Sequence, residues 1–161
     1  PGDLLQCRGG GFTSKWTGLS VLDGNRQAVS QAQQIPPDIV EKRINFIYGA
    51  SVMASRAFIE QVGLMDERYF LYCEEQDWAY SAGGRFDFAY AADALVWHRE
   101  GASTGHSCRR SSLRRLLAIT KSRLLLTGKH FPVALPAVCL AGCYAAMRMV
   151  VRRLLYGGNH A

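Results

Sequence analysis

Residues 101–161 contain ten Lys and Arg and not one Asp or Glu, whereas residues 1–100 hold nine basic residues against thirteen acidic ones. A chain divided in this way calls for an acidic or neutral working part followed by a basic part suited to an anionic surface. Within the basic part Leu113, Leu116, Leu117, Thr120 and Leu124 recur at helical spacing, with Arg109, Arg110, Arg114, Arg115, Lys121 and Arg123 around them. An amphipathic helix is expected there, capped by Ser111 or Ser112 and ended by Gly128. Residues 131–151 form a nearly unbroken apolar run that contains Pro132, Pro136 and Arg148 and closes on Arg152-Arg153. Its length of about 20 residues is enough to cross a bilayer, while its prolines and arginine suit a helix lying in the interface equally well. The basic charges alternate with leucine rather than with aromatic residues, which favours anionic lipid over nucleic acid as the partner. A basic helix merely solvated on one face is the plainer alternative.

The remaining residues read as a loop-rich α/β unit, with a boundary placed between 1–106 and 107–161. Residues 1–38 are expected to be loop with short strands, and Arg8-Gly9-Gly10-Gly11 a flexible rim loop. No Lys-Ser or Lys-Thr follows these glycines, so they are not a phosphate loop. The apolar run 44–54 reads as one or two core strand segments interrupted at Gly49, where a missing Cβ allows close approach. Ser55 is placed to cap a short helix over 56–62 that Gly63 stops. Residues 85–91 alternate like a strand, and 94–97 read as another. Five scattered cysteines make no disulfide framework, which suggests reduced thiols in a cytosolic setting.

The chemistry concentrates in Tyr69-Phe70-Leu71-Tyr72-Cys73-Glu74-Glu75-Gln76-Asp77-Trp78. Three carboxylates lie within four residues between two aromatic clusters. Carboxylates held against apolar walls have pKa values that can be tuned for acid–base work. The alternative is that Glu74 and Glu75 only favour the positive end of the helix they begin, which runs to Ala82 and ends at Gly83-Gly84. His98 ends the strand over 94–97 and faces a polar loop, where a lone histidine is a ligand, a proton carrier or an ordinary surface residue. Its neighbours His106 and Cys108 do not have the spacing of a structural zinc site, and Cys139 and Cys143 suit an apolar helix. No cysteine sits in a convincing nucleophile context.

Taken in order, Gly49-Ala50-Ser51, Gly63-Leu64-Met65-Asp66-Glu67-Arg68-Tyr69-Phe70-Leu71-Tyr72, Glu74-Glu75-Gln76-Asp77-Trp78 and Tyr90-Ala91-Ala92-Asp93-Ala94-Leu95-Val96-Trp97-His98 resemble bacterial family 2 glycosyltransferases, notably their rhamnosyltransferase-like branch. Gly101-Ala102-Ser103 continues the likeness, which runs from about Leu5 to Phe131. The resemblance implies part of a type-A glycosyltransferase fold, with a mixed, Rossmann-like sheet followed by basic and apolar helices. It implies an inverting enzyme that moves a sugar from a nucleotide-sugar donor to a glycan or lipid-linked acceptor in cell-surface polysaccharide synthesis.

By the same resemblance Glu75 is the general base, standing where the family's Glu-Asp-x-Asp motif has its second acid. Asp77 matches the third acid, which orients the base or an acceptor hydroxyl, and Glu74 is the first. Gly49, Ala50, Ser51, Tyr72 and Trp78 are the implied substrate contacts, and His98 the ligand to a divalent metal, Mg²⁺ or Mn²⁺. Ser81 replaces a frequent arginine, and Lys121-Ser122-Arg123 replaces a usual Arg-Asn-Arg. The family's nucleotide-binding strands and Asp-x-Asp motif have no match, Asp3 and Asp23 being isolated. The chain is therefore expected to be the acceptor-binding part of a longer enzyme, inactive by itself, held at the cytoplasmic face of the bacterial inner membrane. The competing expectation is a non-enzymatic, membrane-attached interaction module on the same scaffold.

Overall fold

A computed structural model describes residues 4–32, 34–98 and 113–156. Its architecture is mixed α/β. Strands β1 (Gly10–Thr13), β2 (Ser20–Leu22) and β3 (Phe46–Ile47) form one sheet in the order β2-β1-β3. Both pairings are antiparallel, so the sheet among the described residues contains no parallel crossover of the Rossmann kind. The glycine run is not a rim loop. Gly10 and Gly11 form the buried centre of the sheet, because a Cβ at Gly10 would stand 2.0 Å from the Phe46 carbonyl oxygen. At Gly11 it would meet the Val21 carbonyl oxygen at 2.4 Å and the Phe46 ring at 2.8 Å. The close stacking of β3 and its phenylalanine on β1 requires two residues without side chains.

Residues expected to be loop before the first apolar run include two short helices, α1 (Val29–Ala32) and α2 (Pro37–Arg43). Pro37 occupies the first turn of α2, where its fixed φ is already helical and its missing N–H costs nothing. The expected strands over 85–91 and 94–97 do not form a ladder. The extended segment is held through side chains instead. Tyr90 N–H donates to Glu41 Oε1 at 2.9 Å, and the Tyr90 ring lies over Gly9. Helix α3 (Arg56–Val62) has the expected limits: Ser55 Oγ accepts the Phe58 N–H at 3.1 Å, and Gly63 follows in a positive-φ conformation.

Helix α4 (Glu74–Ser81) carries the acidic motif, and α5 (Leu113–His130) and α6 (Leu135–Tyr156) form the C-terminal part. The expected cap residues Ser111 and Ser112, with Arg109, Arg110, His106 and Cys108, lie outside the described residues. Gly128 does not end α5. The helix runs on to His130 and stops before Pro132, which opens a single 3₁₀ turn leading into α6. Helix α5 lies between α4 and α6. Ser122, Leu126 and Lys129 meet the α4 side, through the Leu71 carbonyl, the Tyr69–Cys73 cluster and Asp77 respectively. Thr120 meets Gly142 of α6. The four described cysteines, Cys7, Cys73, Cys139 and Cys143, are all free thiols.

Candidate active site

Helix α4 starts from a strained turn. Tyr72 and Cys73 both adopt positive φ, at 67° and 69°, which side chains beyond Gly and Asn rarely do. Two such residues in succession cost on the order of 1–3 kcal/mol each and persist only where surrounding contacts hold them. Here α5 provides those contacts. Ser122 Oγ donates to the Leu71 carbonyl at 2.8 Å, Arg115 Nε donates to the Tyr72 hydroxyl at 2.9 Å, and Cys73 is buried with Tyr69 and Leu126. The basic helix thus fixes the direction in which the acidic helix leaves.

The turn aims Glu75 at the end of β3. Glu75 Oε1 accepts the Gly49 N–H at 3.1 Å, and a Cβ at Gly49 would lie 2.2 Å from that oxygen. Glycine is needed here for space rather than for backbone freedom. Beyond Glu75 opens a cavity of about 240 Å³ whose walls are mainly apolar, among them Ile47, Met53, Phe58, Met65, Trp78 and Phe86. Burial pushes the Glu75 carboxyl above its ordinary value, the adjacent Glu74 adds to the rise, and the N–H groups of Glu75 and Gly49 oppose it. Trp78 is fixed by its indole N–H, which donates to the Gly63 carbonyl at 2.9 Å. Phe58 stands edge-on to both Trp78 and Phe86, with centroids 4.8 and 5.1 Å away. Such aromatic pairs favour a wall of fixed shape.

The other two acids face elsewhere. Glu74 Oε2 is buried with no hydrogen-bond partner among the described residues, so Glu74 acts on Glu75 through its charge. Asp77 is buried on the opposite side of α4. Its Oδ1 accepts from the Tyr69 hydroxyl at 3.0 Å and lies 2.8 Å from His130 Nε2, and its Oδ2 accepts from Lys129 Nζ at 2.9 Å. The structure therefore assigns Asp77 to the α4–α5 seam and away from the cavity. Tyr72 likewise turns toward Arg115, whose guanidinium lies 5.7 Å from its ring centroid, and it does not line the cavity. Ala50 and Ser51 sit exposed on the turn beside Gly49, while the next three residues, Val52, Met53 and Ala54, form the wall.

His98 is exposed and tethered to the sheet side of the site. Its Nδ1 lies 2.8 Å from Gln6 Oε1, Gln6 Nε2 donates to the Tyr48 hydroxyl at 2.8 Å, and the imidazole stands edge-on to the Tyr48 ring at 6.0 Å. With the amide oriented this way Nδ1 carries the proton, leaving the Nε2 lone pair for a ligand. An outer hydrogen bond of this kind can steady the ring of a histidine whose other nitrogen meets a ligand. No group of three or more metal-ligating side chains exists among the described residues, so the fit amounts to one imidazole ligand.

Sequence reasoning missed Gln6, Tyr48, Phe58, Phe86 and the α5 pair Lys129 and His130. The two phenylalanines come together only when the extended segment after α4 folds back over α3. Gln6, Tyr48 and His98 are 42 and 92 residues from their partners, with no local pattern to mark them. Comparison of the chain with protein-family models, with curated proteins and with solved structures yields no match in any of the three.

Proposed function

We propose that this chain is the acceptor-binding, base-bearing part of an inverting glycosyltransferase with a type-A fold. Its donor is a nucleotide sugar and its acceptor a glycan or lipid-linked hydroxyl compound of cell-surface polysaccharide synthesis. The observation that carries this reading is Glu75: a carboxyl with a raised pKa, held by the Gly49 backbone N–H in the wall of an apolar cavity. An acceptor hydroxyl presented there gives its proton to Glu75 while its oxygen attacks the anomeric carbon. The bond from that carbon to the leaving phosphate oxygen breaks, and nucleoside diphosphate departs. The apolar wall of Phe58, Trp78 and Phe86 restricts water around the base, and a sugar ring has apolar faces that such a wall accepts. Glu74 keeps the base strong by its charge, and Asp77 holds α4 in place for it.

A divalent metal, Mg²⁺ or Mn²⁺, when bound would supply charge stabilisation to the departing diphosphate, and His98 is the residue that would hold it here. Membrane attachment belongs to the same proposal. The segment Pro132–Val151 is long and apolar enough to cross a membrane, with a mean hydropathy of 1.7. The ten basic charges of the C-terminal part suit the anionic cytoplasmic face of an inner membrane, each worth about 1 kcal/mol near such a surface.

The test is turnover in the complete protein. Glu75→Gln keeps the shape but cannot take the proton, so kcat is expected to fall roughly 10²- to 10⁴-fold with donor affinity little changed. Retention of turnover by Glu75→Gln together with its loss in Glu74→Gln would remove Glu75 from the role.

A further inference from the structure

Helix α6 presents two opposite faces. Toward α5 it turns Ala134, which precedes it, then Val138, Gly142, Ala145 and Met149, all buried or half-buried. A Cβ at Gly142 would lie 3.2 Å from Thr120 of α5, and one at Gly18 would lie 3.1 Å from Val138 and 3.3 Å from Thr127. The β1–β2 turn, α5 and α6 therefore meet at one seam. Away from that seam Leu140, Tyr144, Met147 and Val151 follow one another at i, i+4, i+7 and i+11, and each is exposed. Only 11% of the apolar window is buried. Arg148 flanks this stripe, its guanidinium 5.8 Å from the Tyr144 ring centroid.

We infer that α6 lies flat in the headgroup–acyl boundary of an anionic membrane, with the Leu140–Tyr144–Met147–Val151 stripe in the lipid, and does not cross the bilayer. The reason is the seam. At about 33 Å for its 22 residues, α6 has the length to span. A spanning α6 would have to leave α5 or take α5 into the hydrocarbon with it. Leaving α5 exposes the seam at Thr120, Thr127 and Val138. Taking α5 along would put Lys121, Arg123 and Lys129 into lipid and break the bonds from Ser122 to Leu71 and from Lys129 and His130 to Asp77. Lying flat keeps every one of these contacts, covers the apolar stripe, and leaves Arg148, which flanks that stripe beside Tyr144, within reach of the phosphates. It also holds α4 and the Glu75 cavity within one helix layer of the membrane surface, with α5 between. The inference rests on the membrane attachment proposed above and is independent of the chemistry at Glu75.

Depth measurement tests it. Cys108, Cys139 and Cys143 are changed to Ser in the full chain, and single cysteines are placed by Val133→Cys, Leu140→Cys, Met147→Cys and Val151→Cys, all at exposed positions. Cys7 and Cys73 stay, since burial pushes both thiols up to about 12 and suppresses their labelling at neutral pH. A fluorophore at each site is quenched by nitroxides at graded depths in phosphatidylglycerol–phosphatidylcholine vesicles. All four labels are expected at one shallow depth, about 5–10 Å below the headgroups. In the otherwise unaltered chain, Leu140→Gln with Met147→Gln is expected to weaken vesicle binding at least tenfold with an unchanged circular-dichroism spectrum. Depths that run from one leaflet through the bilayer centre to the other would establish a spanning helix and overturn the inference while leaving attachment intact. Absence of vesicle binding would overturn attachment and the inference together. A dimer in lipid-free solution whose labels are shielded by the second copy, and stay unquenched with vesicles, would assign the stripe to self-association instead.

Discussion

Asp77 Oδ1 lies 2.8 Å from His130 Nε2 across the contact between α4 and α5, although 53 residues separate the two in the chain. With Lys129 Nζ on the other carboxylate oxygen, this contact joins the acidic and basic parts of the chain into one body. It also means that the helix bearing Glu75 is positioned by the basic helix α5.

Removing Lys129 leaves the Asp77 carboxylate buried with part of its compensation gone, and a buried charge that loses its partner is costly. Lys129→Met is expected to lower unfolding stability by about 2 kcal/mol, below the full cost of a buried pair because Lys129 is itself a third exposed. Adding Asp77→Asn should recover part of that loss, since the unpaired charge is gone. Urea unfolding of the two single variants and the double variant checks it. Additive losses in the double variant would show that the pair is not coupled.

Gly49→Ala places a methyl group where Glu75 Oε1 now sits. The half-buried side chain of Glu75 must swing away from Gly49, so kcat is expected to fall at least tenfold while the urea midpoint moves little. Gly128→Ala is the contrasting case. Nothing lies within 4 Å of a Cβ there, and the residue is inside α5, so the substitution is expected to stabilise the fold by up to about 1 kcal/mol. Calorimetric melting and turnover separate the two effects.

The raised pKa of Glu75 has a definite sign in stability. Between the ordinary value of 4.5 and the raised folded value, the folded chain holds a proton at Glu75 that the unfolded chain has lost. Stability therefore falls as pH rises through that window, and the cost persists at neutral pH. Glu75→Gln removes it, so this variant is expected to be more stable than the parent at pH 7 and no more stable below pH 4. With Glu75 as the base proposed above, turnover is expected to have the opposite slope, rising with pH as Glu75 deprotonates. Urea titrations at pH 4 and 7 decide the first statement and a pH–kcat profile the second.

Gln6→Leu deletes the acceptor of the His98 Nδ1 proton and the donor to Tyr48. The imidazole is expected to shift from the Nδ1–H tautomer toward the Nε2–H tautomer that dominates in free solution, and its affinity for Mn²⁺ to weaken about tenfold or more. Long-range ¹H–¹⁵N correlation spectra report the tautomer without any turnover. A tautomer ratio unchanged from the parent would show that Gln6 does not set it.

Local chemistry made some of this protein legible from its residues alone. Ser55 and Gly63 delimit α3 because a hydroxyl cap and a positive-φ stop act over one turn, and Glu74 opens the acidic helix as its charge pattern implies. The gap at Gly49 was legible for the same reason: a missing Cβ is a property of one residue. Which acid faces the cavity was not. Glu75 and Asp77 sit in the same turn of α4, and their surroundings differ only because α5 covers one side of the helix and the β3 end closes the other. The glycine run became a sheet centre once β3, 35 or more residues on, closed its second side, and the stretch after α4 was held through Glu41, 49 residues back, instead of pairing. The apolar run of α6 likewise fixed its hydrophobicity but not its orientation, which follows from the face that α5 occupies. Short-range capping and steric rules are written residue by residue, whereas burial, pKa and exposure are set by whatever distant segment the fold brings alongside.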